Sequence, residues 1–103
     1  MRKILKYPLT ITDEQPLRLP LGSIILSVME QNDQIVLYAL VDADQKLTSE
    51  YTVSIRGTGH NIDELTINNF IGTCKLFNGH LMYHVFIRGG YFYEQLWRKK
   101  TSL

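Results

Sequence analysis

The sequence predicts a mainly β protein: a small antiparallel sandwich or barrel-like sheet, with one short helix after Gly59 and room for a C-terminal helix. Three observations lead to this prediction. Two apolar runs meet at Asn78-Gly79, the dipeptide that best suits the positive φ angles of a type I′ hairpin turn. Two further apolar runs meet at Asn32-Asp33. Alternating apolar and polar segments recur along the chain, which favours antiparallel strands over helices.

Length and composition limit the class of protein. The chain has 103 residues, 45% of them hydrophobic and 20% charged, which indicates a folded domain and not a disordered one. We expect one β-rich domain over residues 1–88, followed by an aromatic and basic extension over residues 89–103. The net charge of +1 creates no strong field, so we do not expect nucleic-acid binding. A single cysteine excludes an internal disulfide and a cysteine-based zinc site.

The N-terminal segment predicts an edge strand. Residues 3–11 alternate, and Pro8 cannot donate to a ladder, so this strand should lie at an edge or bend. Residues 13–16 form a predicted turn, and residues 17–21 a short extended piece. The segment has no long apolar run, so we expect neither a signal peptide nor a membrane span, and a cytoplasmic location.

The first predicted hairpin joins residues 23–30 to residues 35–41. Simple alternation divides its side chains between two faces, both largely apolar. One face is predicted to hold Ile24, Leu26 and Val28 with Val41, Ala39 and Leu37. The other is predicted to hold Ile25, Ser27 and Met29 with Leu40, Tyr38 and Val36.

The middle of the chain combines a loop, a strand and a predicted helix. Residues 42–50 begin like a calcium-binding loop but lack its glycine and its final glutamate, so no calcium site is expected. Residues 51–56 alternate as a strand. Asn61 and Glu64 have capping-box spacing, which predicts a short helix that ends near residues 68–69.

The second predicted hairpin spans residues 70–87. A two-residue turn at Asn78-Gly79 would pair Thr73 with His84, Lys75 with Met82, and Phe77 with His80. One face, predicted to be core, holds Phe70, Gly72, Cys74 and Leu76 against Leu81, Tyr83, Val85 and Ile87. The opposite face is half polar and half apolar, and holds Ile71, Thr73, Lys75 and Phe77 against His80, Met82, His84 and Phe86.

The two hairpins carry more apolar faces than one open sheet can bury. Phe92 with Leu96 and Tyr93 with Trp97 have the i,i+4 spacing of a short amphipathic helix, which could fold back over the sheet. A second copy of the chain is the alternative cover, with Met29, Tyr38, Met82 and Phe86 at the interface. We expect a homo-oligomer, and closure of the monomer by the tail remains the alternative. The basic end of the tail could contact nucleic acid or be an ordinary solvated terminus.

The sequence offers little for catalysis. His80 and His84 would lie about 13 Å apart along one strand, too far to share a metal ion. Cys74 falls on the core face, where a thiol usually packs and does not react. We find no Ser/His/Asp arrangement, paired carboxylates or phosphate-binding loop of the Walker type. We therefore expect no enzyme, no metal and no cofactor.

The best local signal for binding is the segment RGTGH at residues 56–60. Its two glycines let backbone N–H groups converge before a predicted helix start, which suits a phosphate or a carboxylate. The alternative is a turn that needs glycine only for its geometry. The polar face of the second hairpin could complete a site, or its histidines could be ordinary half-exposed residues. The predicted ligand-binding residues are Arg56, Gly57, Thr58, Gly59, His60, Thr73, Lys75 and His84.

Four stretches resemble a family of short proteins that phages and prophages encode. They are KILKYPLTITDEQ, RGTGHNI, FIGT and NGHLMYHVF. The likeness runs in order from residue 3 to residue 87, with residues 88–103 as an extension that the family usually lacks. This family has no assigned activity.

The resemblance implies an accessory protein that acts in the host cytoplasm. By analogy with small phage proteins, it would sequester a small anionic ligand such as a nucleotide signal and so counter host defence. The alternative is a protein-interaction module that inhibits a host protein or joins a virion assembly.

Overall fold

The structure is a computed structural model, and it describes residues 1–63, 65 and 67–89. The described residues form seven strands, and apart from two 3₁₀ turns they form no helix, so the mainly β prediction is confirmed. The strands are β1 (Arg2–Leu9), β2 (Glu14–Pro20), β3 (Ile24–Gln31), β4 (Gln34–Asp42), β5 (Thr48–Gly57), β6 (Phe70–Leu76) and β7 (Leu81–Gly89). The 3₁₀ turns lie at Ile67–Asn69 and Phe77–Gly79.

The strands form two antiparallel sheets. One has three strands in the order β1-β4-β3, and the other has four in the order β2-β5-β7-β6. The inward side chains of both sheets pack into one buried cluster, with Leu37 and Ala39 of β4 facing Tyr51 and Val53 of β5 and Val85 of β7 across the interior. The fold is therefore a small sandwich, as expected when each sheet has one apolar face.

The two N-terminal strands both lie at sheet edges. The edge position predicted for β1 from Pro8 is confirmed, because β1 pairs with β4 at one end of the three-stranded sheet. The turn predicted at residues 13–16 is wrong, since β2 already begins at Glu14 and its prolines are tolerated at the edge it occupies. The chain crosses between the sheets at residues 10–13, where the Gln15 side chain accepts a hydrogen bond from the Thr10 amide at 3.0 Å.

The β3–β4 hairpin turns at the predicted residues, but some side chains of β3 lie on the opposite face from the one predicted. Asn32 and Asp33 both have positive φ angles, 54° and 59°, as a type I′ turn requires. A register shift between Ile25 and Ser27 inserts one residue into β3. Because the side-chain period of a strand is two, the shift moves Ile25 into the core and leaves Leu26 45% exposed. The predicted positions of Ile24, Ile25 and Leu26 are therefore wrong.

The β6–β7 hairpin has the predicted register. Thr73 pairs with His84 and Lys75 with Met82. Asn78 and Gly79 have φ angles of 56° and 87° at the centre of the turn, which the His80 amide closes by donating to the Phe77 carbonyl at 3.1 Å. The strand ends one residue earlier than predicted.

Phe77 leaves the strand because it also has a positive φ angle, 53°. Its amide donates to the Asp33 carboxylate at 3.0 Å, which ties the two hairpin tips together.

A second register shift lies between Phe70 and Gly72 of β6. The predicted core position of Phe70 is therefore wrong. Phe70 pairs with Phe86 and not with Ile87, so it lies on the outer face of the four-stranded sheet. Gly72 is where the edges of the two sheets approach most closely. A Cβ atom there would lie 2.6 Å from a Val28 methyl carbon of β3, so the close packing requires glycine.

The short helix predicted after Gly59 is not formed by the described residues. Asn61 does accept a hydrogen bond, from the Asp63 amide at 2.7 Å, but it closes an Asx turn and not a helix N-terminus. The described part of this segment contains one helical turn, the 3₁₀ turn at Ile67–Asn69. The predicted C-terminal helix and nearly all of the predicted 89–103 extension lie outside the described residues. Where the chain is described, no helix has the length and apolar character to cross a membrane.

Candidate functional site

A row of three polar side chains crosses the outer face of the four-stranded sheet. Arg56 of β5 pairs with His84 of β7, and His84 pairs with Thr73 of β6. Cross-strand partners point to the same side of a sheet, so the register alone brings these three residues together. Residues that are distant in sequence thus become neighbours.

A second row, largely aromatic, lies beside the first. Ser54 of β5 pairs with Phe86, which pairs with Phe70. The two phenyl rings meet edge to face, with centroids 5.5 Å apart and planes at 64°. Phe86 is only 5% exposed although it is on the outer face, because the chain between β5 and β6 covers it.

That covering segment begins with a tight turn at residues 57–60. The His60 amide donates to the Gly57 carbonyl at 3.0 Å, and Gly59 has a φ angle of 91° that glycine tolerates best. The His60 ring lies over Gly57, where an added Cβ would be 3.1 Å from the imidazole. The two glycines therefore serve the turn, and the turn carries Thr58 and His60 over the sheet.

A cavity of about 350 Å³ lies between this segment and the sheet. We name it the loop cavity. It is lined by Arg56, Gly57, Thr58, Gly59, His60, Ile62, Ile67, Phe70, His84 and Phe86. Six of the eight predicted binding residues thus line one cavity, with an aromatic and aliphatic group beside them.

His84 is fixed by hydrogen bonds at both ring nitrogens. Its Nε2 atom lies 2.7 Å from the Thr58 hydroxyl oxygen, and its Nδ1 atom lies 2.9 Å from that of Thr73. In a neutral imidazole one nitrogen donates and the other accepts, and a hydroxyl can complement either role. The ring therefore connects the turn at residues 57–60 to strand β6.

Arg56 is a buried cation at the base of the loop cavity, 8% exposed. Its Nε donates to the Asn61 carbonyl at 3.3 Å, and its Nη1 donates to the carbonyls of Asp13 and Ile55. A guanidinium can satisfy several acceptors at once, so one side chain fastens the covering segment and the β1–β2 connection to β5.

Two predicted site residues do not line the loop cavity. Thr73 contacts it only through its hydrogen bond to His84. Lys75 lies one row nearer the hairpin tip, and its aliphatic chain passes Gly79. The loop cavity is therefore lined from β5, β7 and the chain between β5 and β6, with Phe70 at the start of β6.

The apolar part of the cavity does not follow from the sequence pattern. Alternation predicts Phe70 in the core, because the register shift beside it leaves no mark in the pattern. Alternation also predicts an exposed Phe86, because nothing in the sequence shows that the segment before β6 covers it. Ile62 and Ile67 fit a predicted helix or its flank. Their apolar side chains in an otherwise polar loop are the signal that could have indicated a lined cavity.

The described residues show little reactive chemistry. Nowhere among them do three His, Cys, Asp or Glu side chains gather as a metal site would need. Cys74 is buried, as predicted, and burial together with the charge of Glu30 raises the pKa of its thiol above the usual value. A thiol held protonated is a poor nucleophile.

Comparison with known proteins identifies a family. A family model described as a domain of unknown function (DUF7352) matches residues 1–91. No curated protein and no solved structure matches the chain.

Proposed function

The chain belongs to the DUF7352 family, a domain of unknown function, and from that premise we propose that it is a non-catalytic binding protein which holds a small anionic ligand, such as a nucleotide, in the loop cavity. One observation carries the proposal: the turn at residues 57–60 and the His84 row of the sheet border a cavity with an aromatic floor. Ligand sites in proteins are commonly such concave, mostly apolar pockets with a few fixed polar groups.

The proposal of a non-catalytic role has support in the same geometry. The two nitrogens of His84 are occupied by threonine hydroxyls, and none of the described residues places a carboxylate against the ring to orient it as a base. The Cys74 thiol is buried and its pKa is raised. Neither group is therefore arranged as a catalytic base or nucleophile, which supports a protein that binds its ligand stoichiometrically without turnover.

The setting that we propose follows from the resemblance to phage- and prophage-encoded proteins. The protein would act in the cytoplasm of the host, where it would sequester a nucleotide signal and so counter host defence. Binding without turnover suits that role, provided that the dissociation constant lies below the concentration of the signal and that the protein is at least as abundant as the signal.

Calorimetric titration of the full chain with linear and cyclic nucleotides tests the proposal. We expect heat of binding for at least one compound, and mass spectrometry should detect the same class of compound released from the purified protein. No heat across the panel, together with no co-purified nucleotide, would contradict the proposal.

A pair of charge variants links any binding to the loop cavity. Ile67 lines the cavity and is 79% exposed, so replacing it should not disturb folding. A unit charge about 4 Å from an anion contributes about 1 kcal/mol in water, or about fivefold in affinity. Ile67→Lys should strengthen and Ile67→Glu weaken binding by about that factor. Ile4→Lys and Ile4→Glu, on the three-stranded sheet, are the matched controls and should not change the affinity.

A second candidate function is protein interaction, favoured by the outer face of the three-stranded sheet. Ile4, Leu26 and Met29 there are 62%, 45% and 49% exposed. Exposed apolar patches are one mark of an interaction surface. On this proposal the protein inhibits a host protein, joins a virion assembly, or forms a homo-oligomer through this face. Phe86 takes no part, since it is buried.

Two measurements separate the candidates. Sedimentation of the wild type and of Met29→Glu tests the homo-oligomer; a monomer at tens of micromolar in the wild type would remove it. Deleting residues 91–103 should abolish binding to a host or virion protein if the tail aromatics contribute, while nucleotide binding should stay nearly intact.

A further inference from the structure

The floor of the loop cavity suits a flat, uncharged ring system. Phe70 and Phe86 present two phenyl rings at 64° to each other, and Ile62 and Ile67 add aliphatic walls. Aromatic rings stack on such surfaces whatever their substituents, because every base has a π face. A phosphate placed against these apolar side chains would lose its hydration, which makes this part of the cavity unsuitable for it.

The cation inside the cavity is committed to the protein backbone. The Arg56 guanidinium donates to the carbonyls of Asp13, Ile55 and Asn61, and those bonds fasten the covering segment. A ligand phosphate at the base of the cavity would compete with these three carbonyls for the guanidinium. The other inner polar group, His84, is held at both nitrogens by Thr58 and Thr73.

The groups suited to an anion lie at the rim. Thr58, Gly59 and His60 are exposed, and the turn's own hydrogen bond uses the His60 amide and the Gly57 carbonyl. The amides of the two central residues of the turn are not part of that bond. The exposed His60 ring packs over Gly57 at the start of the same turn. We expect this ring and the two amides to contact one phosphate group that stays in solvent.

The size of the cavity sets a limit on the ligand. Its volume of about 350 Å³ lies at the lower end of the range of roughly 300–1,000 Å³ typical of ligand pockets. A cavity of this volume can hold one base with its sugar. A cyclic dinucleotide has two bases and two phosphates, and its second half would have to remain outside.

We infer that the ligand is a nucleoside or nucleoside monophosphate, whose base stacks on Phe70 beside Phe86 and whose single phosphate stays at the rim of the turn at residues 57–60. This inference rests on the proposed function and narrows it. Recognition depends on the base, so a second or third phosphate adds nothing to the affinity. A cyclic dinucleotide binds weakly because its second half stays outside the cavity.

Calorimetry with four compounds on the full chain tests this ranking: adenosine, its 5′-monophosphate, its triphosphate and cyclic di-AMP, with the guanosine series repeated in parallel. We expect the monophosphate to bind up to about tenfold more tightly than the nucleoside. The triphosphate should bind no tighter than the monophosphate, and the cyclic dinucleotide at least tenfold more weakly. Raising the salt concentration should weaken monophosphate binding only slightly, as one charged contact requires.

Two variants locate the two parts of the ligand. Phe70→Leu should weaken nucleoside and monophosphate binding alike, by about tenfold, since it removes one stacking surface. Ile67→Glu should weaken the monophosphate by about fivefold more than it weakens the nucleoside, because both ligands lose the aliphatic contact and only the monophosphate carries a charge that the carboxylate repels. The unfolding midpoint of each variant shows whether it is folded. If a variant does not fold, the order of affinities measured on the wild type still tests the inference.

The outcomes separate the two proposals. Tightest binding by the triphosphate or by the cyclic dinucleotide, with steep salt dependence, would overturn the inference and leave the proposed function standing. Absence of binding by every compound would overturn both. Binding in the expected order, reduced by Phe70→Leu, supports both.

Discussion

The Nε2 atom of His84 lies 2.7 Å from the hydroxyl oxygen of Thr58, so a side chain in the middle of β7 holds the turn that follows β5. The same imidazole reaches Thr73 on β6 through its other nitrogen. One ring thus connects three segments that are distant in sequence. Because the turn forms one side of the loop cavity, its position depends on this contact as well as on its own glycines.

Replacing His84 should loosen the turn without unfolding the sheet. His84→Leu removes two hydrogen bonds and keeps most of the side-chain volume, which should lower the free energy of unfolding by about 1–2 kcal/mol. Urea denaturation measures that loss, and amide exchange at residues 58–60 should become faster. His80→Leu, on the exposed hairpin tip, is the matched control, with a change within about 0.5 kcal/mol. Equal losses in the two variants would show that the threonine contacts contribute nothing.

Arg56 should be the costliest charged residue to replace. Arg56→Met leaves the buried Ile55 carbonyl and the part-buried Asp13 and Asn61 carbonyls without this donor, so we expect a loss of about 2–4 kcal/mol in the free energy of unfolding. Arg56→Lys should recover less than half of it, since an ammonium cannot reproduce the spread of guanidinium donors. Arg18→Met removes an exposed ion pair with Glu50 and should cost less than about 1 kcal/mol. Similar losses for Arg56→Met and Arg18→Met in urea denaturation would contradict the bracing role.

The parts of the fold that could be predicted are those fixed by local chemistry. Asn78-Gly79 suits positive φ angles, and a two-residue turn at this dipeptide is enough to pair Thr73 with His84. Strict alternation then places Cys74 inside and His84 outside, as the structure shows. The edge position of β1 follows from the missing amide of Pro8.

The parts that could not be predicted depend on contacts between distant segments. The register shifts beside Leu26 and Ile71 lie in β3 and β6, which contact each other. The alternation of residues within one strand carries no information about which strand packs against it. The burial of Phe86 depends on where the segment between β5 and β6 lies. The polar half of the candidate site was therefore predictable and its apolar half was not.

Gly72 should tolerate no side chain while Val28 keeps its present position. Gly72→Ala places a Cβ atom 2.6 Å from a Val28 methyl carbon, and valine has little freedom to rotate away. We expect a loss of about 1–3 kcal/mol in the free energy of unfolding from overpacking. Val28→Ala in the same chain removes the clashing methyl, so the double variant should lose less than the sum of the single ones. Additive losses in a double-mutant cycle would mean that the clash is relieved elsewhere.

Ionisation of Tyr51 should lower the stability of the protein at high pH, and Tyr51→Phe should abolish this part of the pH dependence. The tyrosine is buried in the core, and desolvation raises the pKa of its hydroxyl from 10.0 to about 12. In the unfolded chain the hydroxyl ionises near its usual pKa, so unfolding releases a proton between these two values. The stabilising contribution is complete below pH 10 and is lost as the pH rises toward 12, by about 1 kcal/mol at pH 11.

Comparing the wild type with Tyr51→Phe isolates this effect, since every other titrating group is common to both chains. Urea denaturation at pH 8, 9, 10 and 11 should show the wild type losing about 1 kcal/mol more than the variant over that range. Tyrosinate absorbance gives an independent check, because the absorbance lost on substitution should belong to a tyrosine that ionises well above pH 10. If the absorbance lost on substitution appears near pH 10 instead, the hydroxyl is hydrated in the folded protein and the core at Tyr51 is more open than the sandwich implies.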